Sequence, residues 1–248
     1  MHRFIVPGTP EIGEDLTLPA DISHQIARVL RLHEGDEIRL LDGEGGEWTA
    51  SLTRIDPKQS LAHAMSAFEG SPEPIAQITL YAALIKYDRF EFMLQKATEL
   101  GVSRLVPFVS AYTNARPPSD NRLSRWRRVI AEAVEQSGRT ELPELDPTVN
   151  FTAAVAEVRS SGILLWEAED RLSLRDALAQ HDGTNLGLFI GPEGGYSADE
   201  VEAAKSAGLA LAGIGPRVVR AETASIAALT MALAHFGDMD PRCLPHGH

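Results

Sequence analysis

Cysteine is almost missing from this chain. One thiol, Cys243, in 248 residues excludes an intrachain disulfide and any cysteine-rich zinc site. It shares a tail with His246 and His248 that reads as a frayed terminus. The eight histidines are scattered, and none pairs with a carboxylate at ligand spacing, so no metal is expected. No apolar run approaches the roughly 20 residues that span a bilayer. The opening Met1-His2-Arg3-Phe4-Ile5-Val6-Pro7 is too short and too soon broken by proline to be a signal peptide. A soluble cytoplasmic protein is the expectation, with no membrane partner. Internal repeats and low-complexity blocks are lacking as well. Positive charge is in deficit: the net charge is −12 and the pI about 5.1. That balance argues against gripping nucleic acid by bulk electrostatics. Lysine is scarce, because 19 of the 23 basic residues are arginine. Arginine suits bidentate phosphate or base contacts, although a coding bias explains the excess equally well.

What is present is an ordinary globular mixture, 44% hydrophobic and 23% charged. It suffices for one large domain or a small one beside a medium one. The best linker is Glu69-Gly70-Ser71-Pro72-Glu73-Pro74, where glycine and two prolines interrupt the apolar periodicity. Before it, Asp36–Asp42, Glu47–Ile55 and Ser60–Phe68 read as short strands, the first two joined by the turn Gly43–Gly46. A helix capped by Asp21, with Ile22, Ile26, Val29 and Leu30 on one face, precedes them. One helix feeding short strands suggests a small β-barrel over residues 1–70.

Residues 75–240 change to strand–helix alternation, which predicts a parallel sheet covered by helices. Strands are expected at Ile75–Ile85, Val102–Val109, Ile163–Trp166 and Leu186–Ile190. One helix presents Phe90, Met93, Leu94 and Ala97 and stops at Gly101. A second, from about Asn121, turns Leu123, Trp126, Ile130, Ala133 and Val134 inward and ends at Gly138. Two more begin near Ser197 and Ala221. Parallel sheets of this kind bind ligands at the carboxyl ends of their strands.

Two such ends carry the chemistry. In Phe189-Ile190-Gly191-Pro192-Glu193-Gly194-Gly195-Tyr196-Ser197 a buried strand runs into a glycine-rich loop, and Ser197 with Glu200 forms a capping box. The spacing is neither Gly-x-Gly-x-x-Gly nor a Walker loop. A tight strand-to-helix turn would account for this loop alone. In Gly213-Ile214-Gly215-Pro216-Arg217-Val218-Val219-Arg220-Ala221-Glu222-Thr223-Ala224 glycine and proline again end an apolar run. Glu222 and Thr223 there would also serve the N-terminus of a long apolar helix. Two such loops together could wrap a flat, partly apolar ligand with backbone donors and acceptors.

This pair of motifs resembles the C-terminal motifs of the SPOUT methyltransferases, and specifically those of the RsmE family, the 16S rRNA uridine-N3 methyltransferases. Val218-Val219 stands where that family often has isoleucine and leucine. The resemblance extends to Met1–Phe4 and His24–Arg31, similar to the family's N-terminal PUA-like domain, and to Lys86 through Gln95–Gly101 and Glu132–Arg139. It implies a PUA-like RNA-binding barrel over 1–70 and a methyltransferase domain over 75–240 with a deep trefoil knot, an exception to the usual unknotted chain. It implies S-adenosylmethionine as cofactor, held among three loops. Their expected contacts are Trp166 and Glu167; Ile190, Gly191, Glu193, Gly194 and Gly195; and Ile214, Gly215, Val218, Val219, Thr223 and Ala224. The substrate implied is 16S rRNA, within an assembled small subunit if autonomous RNA affinity is low, and the working form a homodimer.

Uracil N3 is a poor nucleophile while it holds its proton. Arg220, always protonated, suits a stabiliser or phosphate clamp. Glu222 is a candidate base or a helix cap, and Arg139 a substrate contact or a solvated surface group. Arg3, His24, Arg28 and Arg31 are candidate RNA contacts. Three rival readings fit the same residues: another enzyme of the superfamily acting on transfer RNA or another nucleotide, a non-catalytic RNA-binding or assembly protein, and a nucleotide-binding metabolic enzyme.

Overall fold

The computed structural model describes residues 1–70, 72–158 and 161–240; Cys243, His246 and His248 lie outside them. The chain forms two compact units. One is Met1–Glu73 with Ala131–Leu142, the other Pro74–Ile130 with the chain from Pro143 onward.

The first unit is built on β1 (Arg3–Ile5), β2 (Asp15–Thr17), α1 (Ala20–His24), β3 (Glu37–Leu41), β4 (Glu47–Arg54) and β5 (Leu61–Phe68). The expected barrel is a five-stranded sheet in the order β1-β3-β4-β5-β2. Only the β1–β3 pair is parallel. β1 and β2, three residues each, are too short to show alternation in sequence. Alternate residues Ile38, Leu40, Ala50, Leu52 and Ala62 face the core with Phe4, Leu18, Ile22 and Ile26. The helix differs from expectation in two respects. Its N-cap is Pro19, with Asp21 inside the first turn, and it passes into a π-helical segment, Gln25–Leu30. The wider π turn keeps Ile22 and Ile26 inward but swings Val29 out to 65% exposure. Residues Ala131–Leu142 supply polar ties to this unit. Glu135 accepts the Ile5 N–H at 2.9 Å, and burial pushes its carboxyl above the usual range.

The second unit contains β6 (Gln77–Ala83), α2 (Tyr87–Leu100), β7 (Arg104–Val109), the start of α3 (Asp120–Ser137), β8 (Glu144–Leu145) and β9 (Val149–Asn150). There follow α4 (Phe151–Val158), β10 (Gly162–Leu165), α5 (Leu174–Ala179), β11 (Asn185–Ile190), α6 (Ala198–Ser206), β12 (Ala210–Ala212) and α7 (Ala221–His235). The sheet runs β12-β10-β11-β6-β7-β8, with β9 also on β7, and every pairing is parallel. Such strands must be buried on both faces. One face packs Phe90 and Met93 of α2, Trp126 of α3, Leu174 of α5 and Leu229 of α7. The other packs Phe151 of α4 and Val201 of α6. Parallel strands place all their carboxyl ends on one edge, so the connections leaving β10, β11 and β12 emerge side by side. From β12, at the sheet's end, the chain returns to lay α7 against β6, β11 and α2.

Candidate functional site

Three connections, each leaving the carboxyl end of a strand, enclose one cavity of about 740 Å³ together with the first turn of α7. That volume suits a ligand of nucleoside size. The connections after β10 and β12 are stitched by backbone bonds. Trp166 N–H reaches Ala212 O at 3.0 Å, Gly213 N–H reaches Leu172 O at 2.9 Å, and Leu174 N–H reaches Gly213 O at 2.9 Å. The connection after β11 closes on itself through Gly195 N–H to Pro192 O at 3.0 Å. Gly195 sits at φ +72°, in the left-handed region that glycine enters without strain. A β-carbon there would stand 2.5 Å from Glu167 Oε1, so the absence of a side chain lets the β10 connection close onto this one.

The lining is mainly apolar, with charged groups of both signs set into it. Carboxylates come from Glu167, Glu169, Asp170, Asp176 and Glu193, and guanidinium groups from Arg171, Arg217 and Arg220. Glu169 accepts N–H bonds from Arg171 at 2.8 Å and Leu172 at 3.2 Å, and these bonds hold its carboxyl below the usual range. Tyr196 is buried with no hydrogen-bond partner for its hydroxyl among the described residues. Burial pushes that phenol well above its ordinary value, so it keeps its proton. Arg220 is the N-cap of the fifteen-residue α7, with no side-chain cap bond. The partial positive charge of that helix end therefore faces the cavity through Ala221 and Ala224. Among the described residues no three His, Cys, Asp or Glu side chains are grouped to hold a metal, and no helix is long and apolar enough to cross a membrane.

One ion-pair network ties the β11 connection and the first turn of α7 to α2. Arg89 lies 3.3 Å from Glu193 and 3.9 Å from Glu222. Glu222 is 8% exposed, and its Oε2 is buried without a hydrogen-bond partner among the described residues. Arg89→Ala should therefore cost about 1–2 kcal/mol. This is less than for a fully buried pair, because the guanidinium is partly open to water. Urea unfolding measures it, and an unchanged midpoint would show that the network contributes nothing.

Sequence comparison matches residues 71–233 to the RNA methyltransferase domain and residues 18–63 to the RNA methyltransferase PUA domain. The ribosomal RNA small subunit methyltransferase E of Synechocystis is 34% identical over 92% of this chain and 76% of its own length. The chain belongs to the RsmE family of RNA methyltransferases. The Bacillus subtilis member is 26% identical over 93% of this chain and 95% of its own. The solved Neisseria gonorrhoeae member, bound to S-adenosyl methionine, superposes with a TM-score of 0.86 at 31% identity, covering 93% of this chain and 95% of that one. The five-stranded sheet is thus the family's PUA half-barrel, and the parallel sheet its methyltransferase domain.

Within that family frame, the structure brings most of the anticipated cofactor contacts to one cavity. Trp166 and Glu167 line it from the β10 connection, and Ile190, Gly191, Glu193 and Gly195 from the β11 connection. Ile214, Gly215, Val218, Val219 and Ala224 line it from the third side, with Arg220 beside them. Gly194 and Thr223 do not line it. Thr223 is exposed, and a β-carbon on Gly194 would meet Tyr112 Cβ at 2.9 Å. Glu222 is also absent from the lining. Arg139 belongs to the first unit, where it is buried and paired with Glu73 at 2.8 Å, so it is no solvated surface group. Of the anticipated RNA contacts, Arg3 is half-buried against Glu47 at 3.3 Å. His24, Arg28 and Arg31 are exposed along α1 and the π segment. Sequence reasoning missed the polar run Glu169–Ser173. It has no glycine or proline to mark it, and its one signal is Ser173, which caps α5 through Asp176 N–H.

Proposed function

We propose that this chain transfers a methyl group from S-adenosylmethionine to N3 of a uridine in 16S rRNA of the small ribosomal subunit. The observation that carries the reading is the single cavity formed by the three strand-end connections. Its donor set fits the cofactor: backbone groups freed by the glycines suit a flat base, and five carboxylates against three guanidinium groups leave the wall net negative for a ligand bearing ammonium and sulfonium charge. When bound, that group supplies an electrophilic methyl on sulfur. The chain's own task is to hold it among Glu167, Gly191, Gly195 and Ile214 and to keep water from it. Uracil gives up its N3 proton to bulk water as it enters the site, and the anion that attacks the methyl carbon, releasing the neutral thioether, carries negative charge on N3 and its flanking oxygens. Arg220 and the N-terminus of α7 that it caps supply positive charge to stabilise it. Arg220 stays charged and acts as stabiliser, not base. Glu222, buried against Arg89, serves to position α7.

RNA selection falls to the PUA unit through His24, Arg28 and Arg31. In residues 1–73 acidic side chains outnumber basic ones roughly two to one. Affinity for free RNA should accordingly be low and salt-sensitive, with the assembled subunit as substrate. Val218, 88% exposed on a cavity-lining connection, is apolar surface that a second copy would cover; sedimentation tests that homodimer. Mass spectrometry of small-subunit RNA from a strain lacking the gene tests the whole reading. One uridine methyl should disappear and return on adding purified enzyme. An unchanged small-subunit RNA with a transfer-RNA methyl lost would replace this reading by its nearest rival.

A further inference from the structure

The loop after β7 carries an aromatic side chain that the site described so far does not use. Tyr112 is 51% exposed, yet its backbone is firmly placed. Glu200, the capping-box residue of α6, accepts the Ser110 hydroxyl at 3.1 Å and the Ala111 N–H at 2.9 Å, while also accepting Ser197 N–H at 2.9 Å. Ser110 N–H donates to Thr113 Oγ1 at 2.9 Å. Farther along, Tyr87 donates its hydroxyl to Arg116 O at 3.1 Å. Glu200 thus fixes the cavity's glycine-rich connection and the Tyr112 loop with one carboxylate.

The two segments also touch. A β-carbon at Gly194 would lie 2.9 Å from Tyr112 Cβ and 3.6 Å from its Cγ. Gly194 has an ordinary negative φ and does not line the cavity. Close approach of Tyr112 is therefore the reason for glycine there. A large aromatic is pressed at its root against the connection whose Glu193 and Gly195 line the cavity, while half of the residue faces solvent. Burying it would have been favourable, and leaving it on a pinned loop matches the way proteins offer stacking faces to unstacked bases.

We infer that Tyr112 is a stacking platform for the target nucleobase, or the base beside it, as the nucleotide is drawn out of its helix. The inference rests on the methyl-transfer reading above. Its test is steady-state methylation of small ribosomal subunits that lack the modification, with cofactor affinity measured by calorimetry on the same proteins. Tyr112→Ala should raise KM for subunits about tenfold or more while the cofactor Kd stays within twofold. Tyr112→Phe should behave as wild type, and Tyr112→Leu, apolar but without a ring, should behave as Tyr112→Ala. A wild-type KM in Tyr112→Ala overturns the inference, as does rescue by leucine. A cofactor Kd that weakens with the KM also overturns it, because the side chain would then be shaping the glycine connection only. Wild-type enzyme that methylates no subunits at all would instead sink the parent reading.

Discussion

Gly195→Val should leave a folded protein whose S-adenosylmethionine affinity has fallen by about a hundredfold. Two costs combine. Valine at φ +72° is strained by roughly 1–2 kcal/mol, because its branched β-carbon crowds the backbone. That β-carbon would also stand 2.5 Å from Glu167 Oε1. Either the Pro192–Gly195 turn opens or Glu167 leaves its place on the cavity wall, and the site deforms both ways. A loss near 3 kcal/mol in binding corresponds to about a hundredfold in Kd. Gly183→Ala provides the control. Gly183 has φ +82° with open space around it and does not line the cavity. That change should lower stability by about 1 kcal/mol and leave cofactor affinity alone. Calorimetric titration reads both. Undiminished affinity in Gly195→Val would remove this connection from the cofactor site.

Arg220→Ala should slow single-turnover methyl transfer by roughly a hundredfold, the usual consequence of deleting one charged stabiliser from a preorganised site. Cofactor Kd should move little, because the charge Arg220 opposes develops on the substrate. The deficit should be largest at low pH and shrink as rising pH ionises uracil N3 without help, because Arg220 acts by favouring the anion and not by taking a proton. A base would behave otherwise, its loss showing as a removed limb of the pH–rate profile. Arg220→Lys should recover only part of the rate, keeping the charge but not the planar fork. A wild-type rate in Arg220→Ala would reassign the stabilising role to the α7 N-terminus alone.

The fold was legible wherever burial imposes a period. The β3–β4 hairpin, the strands β6, β7, β10 and β11, and the buried faces of α2 and α3 follow from alternation and helical spacing. Ser197 with Glu200 marked the start of α6 correctly, and the capping box is formed on both sides. Short elements were not legible. β1, β2, β8, β9 and β12 have two or three residues each, fewer than a repeat needs, and exist because longer neighbours offer them a ladder. The π segment was illegible for a related reason. Its spacing still permits a helical stripe in sequence, and only the position of Val29 in the folded unit reveals the wider turn.

The glycine and proline punctuation at 190–195 and 213–220 points to two ligand-binding connections from sequence alone, because special backbone at strand ends needs such residues. Local chain pattern determined the strand and helix faces, the loop chemistry and, through the paired motifs, the family. Tertiary structure alone decided which groups meet. Parallel pairing brings residues 166, 190 and 214 to one edge although they are far apart in the chain. Packing sends Glu222 to Arg89 and Arg139 to Glu73. Gly194 proves to accommodate Tyr112, a neighbour more than eighty residues away in sequence. Contacts between distant segments depend on how the elements dock, and a side chain's identity does not carry the identity of its future partner.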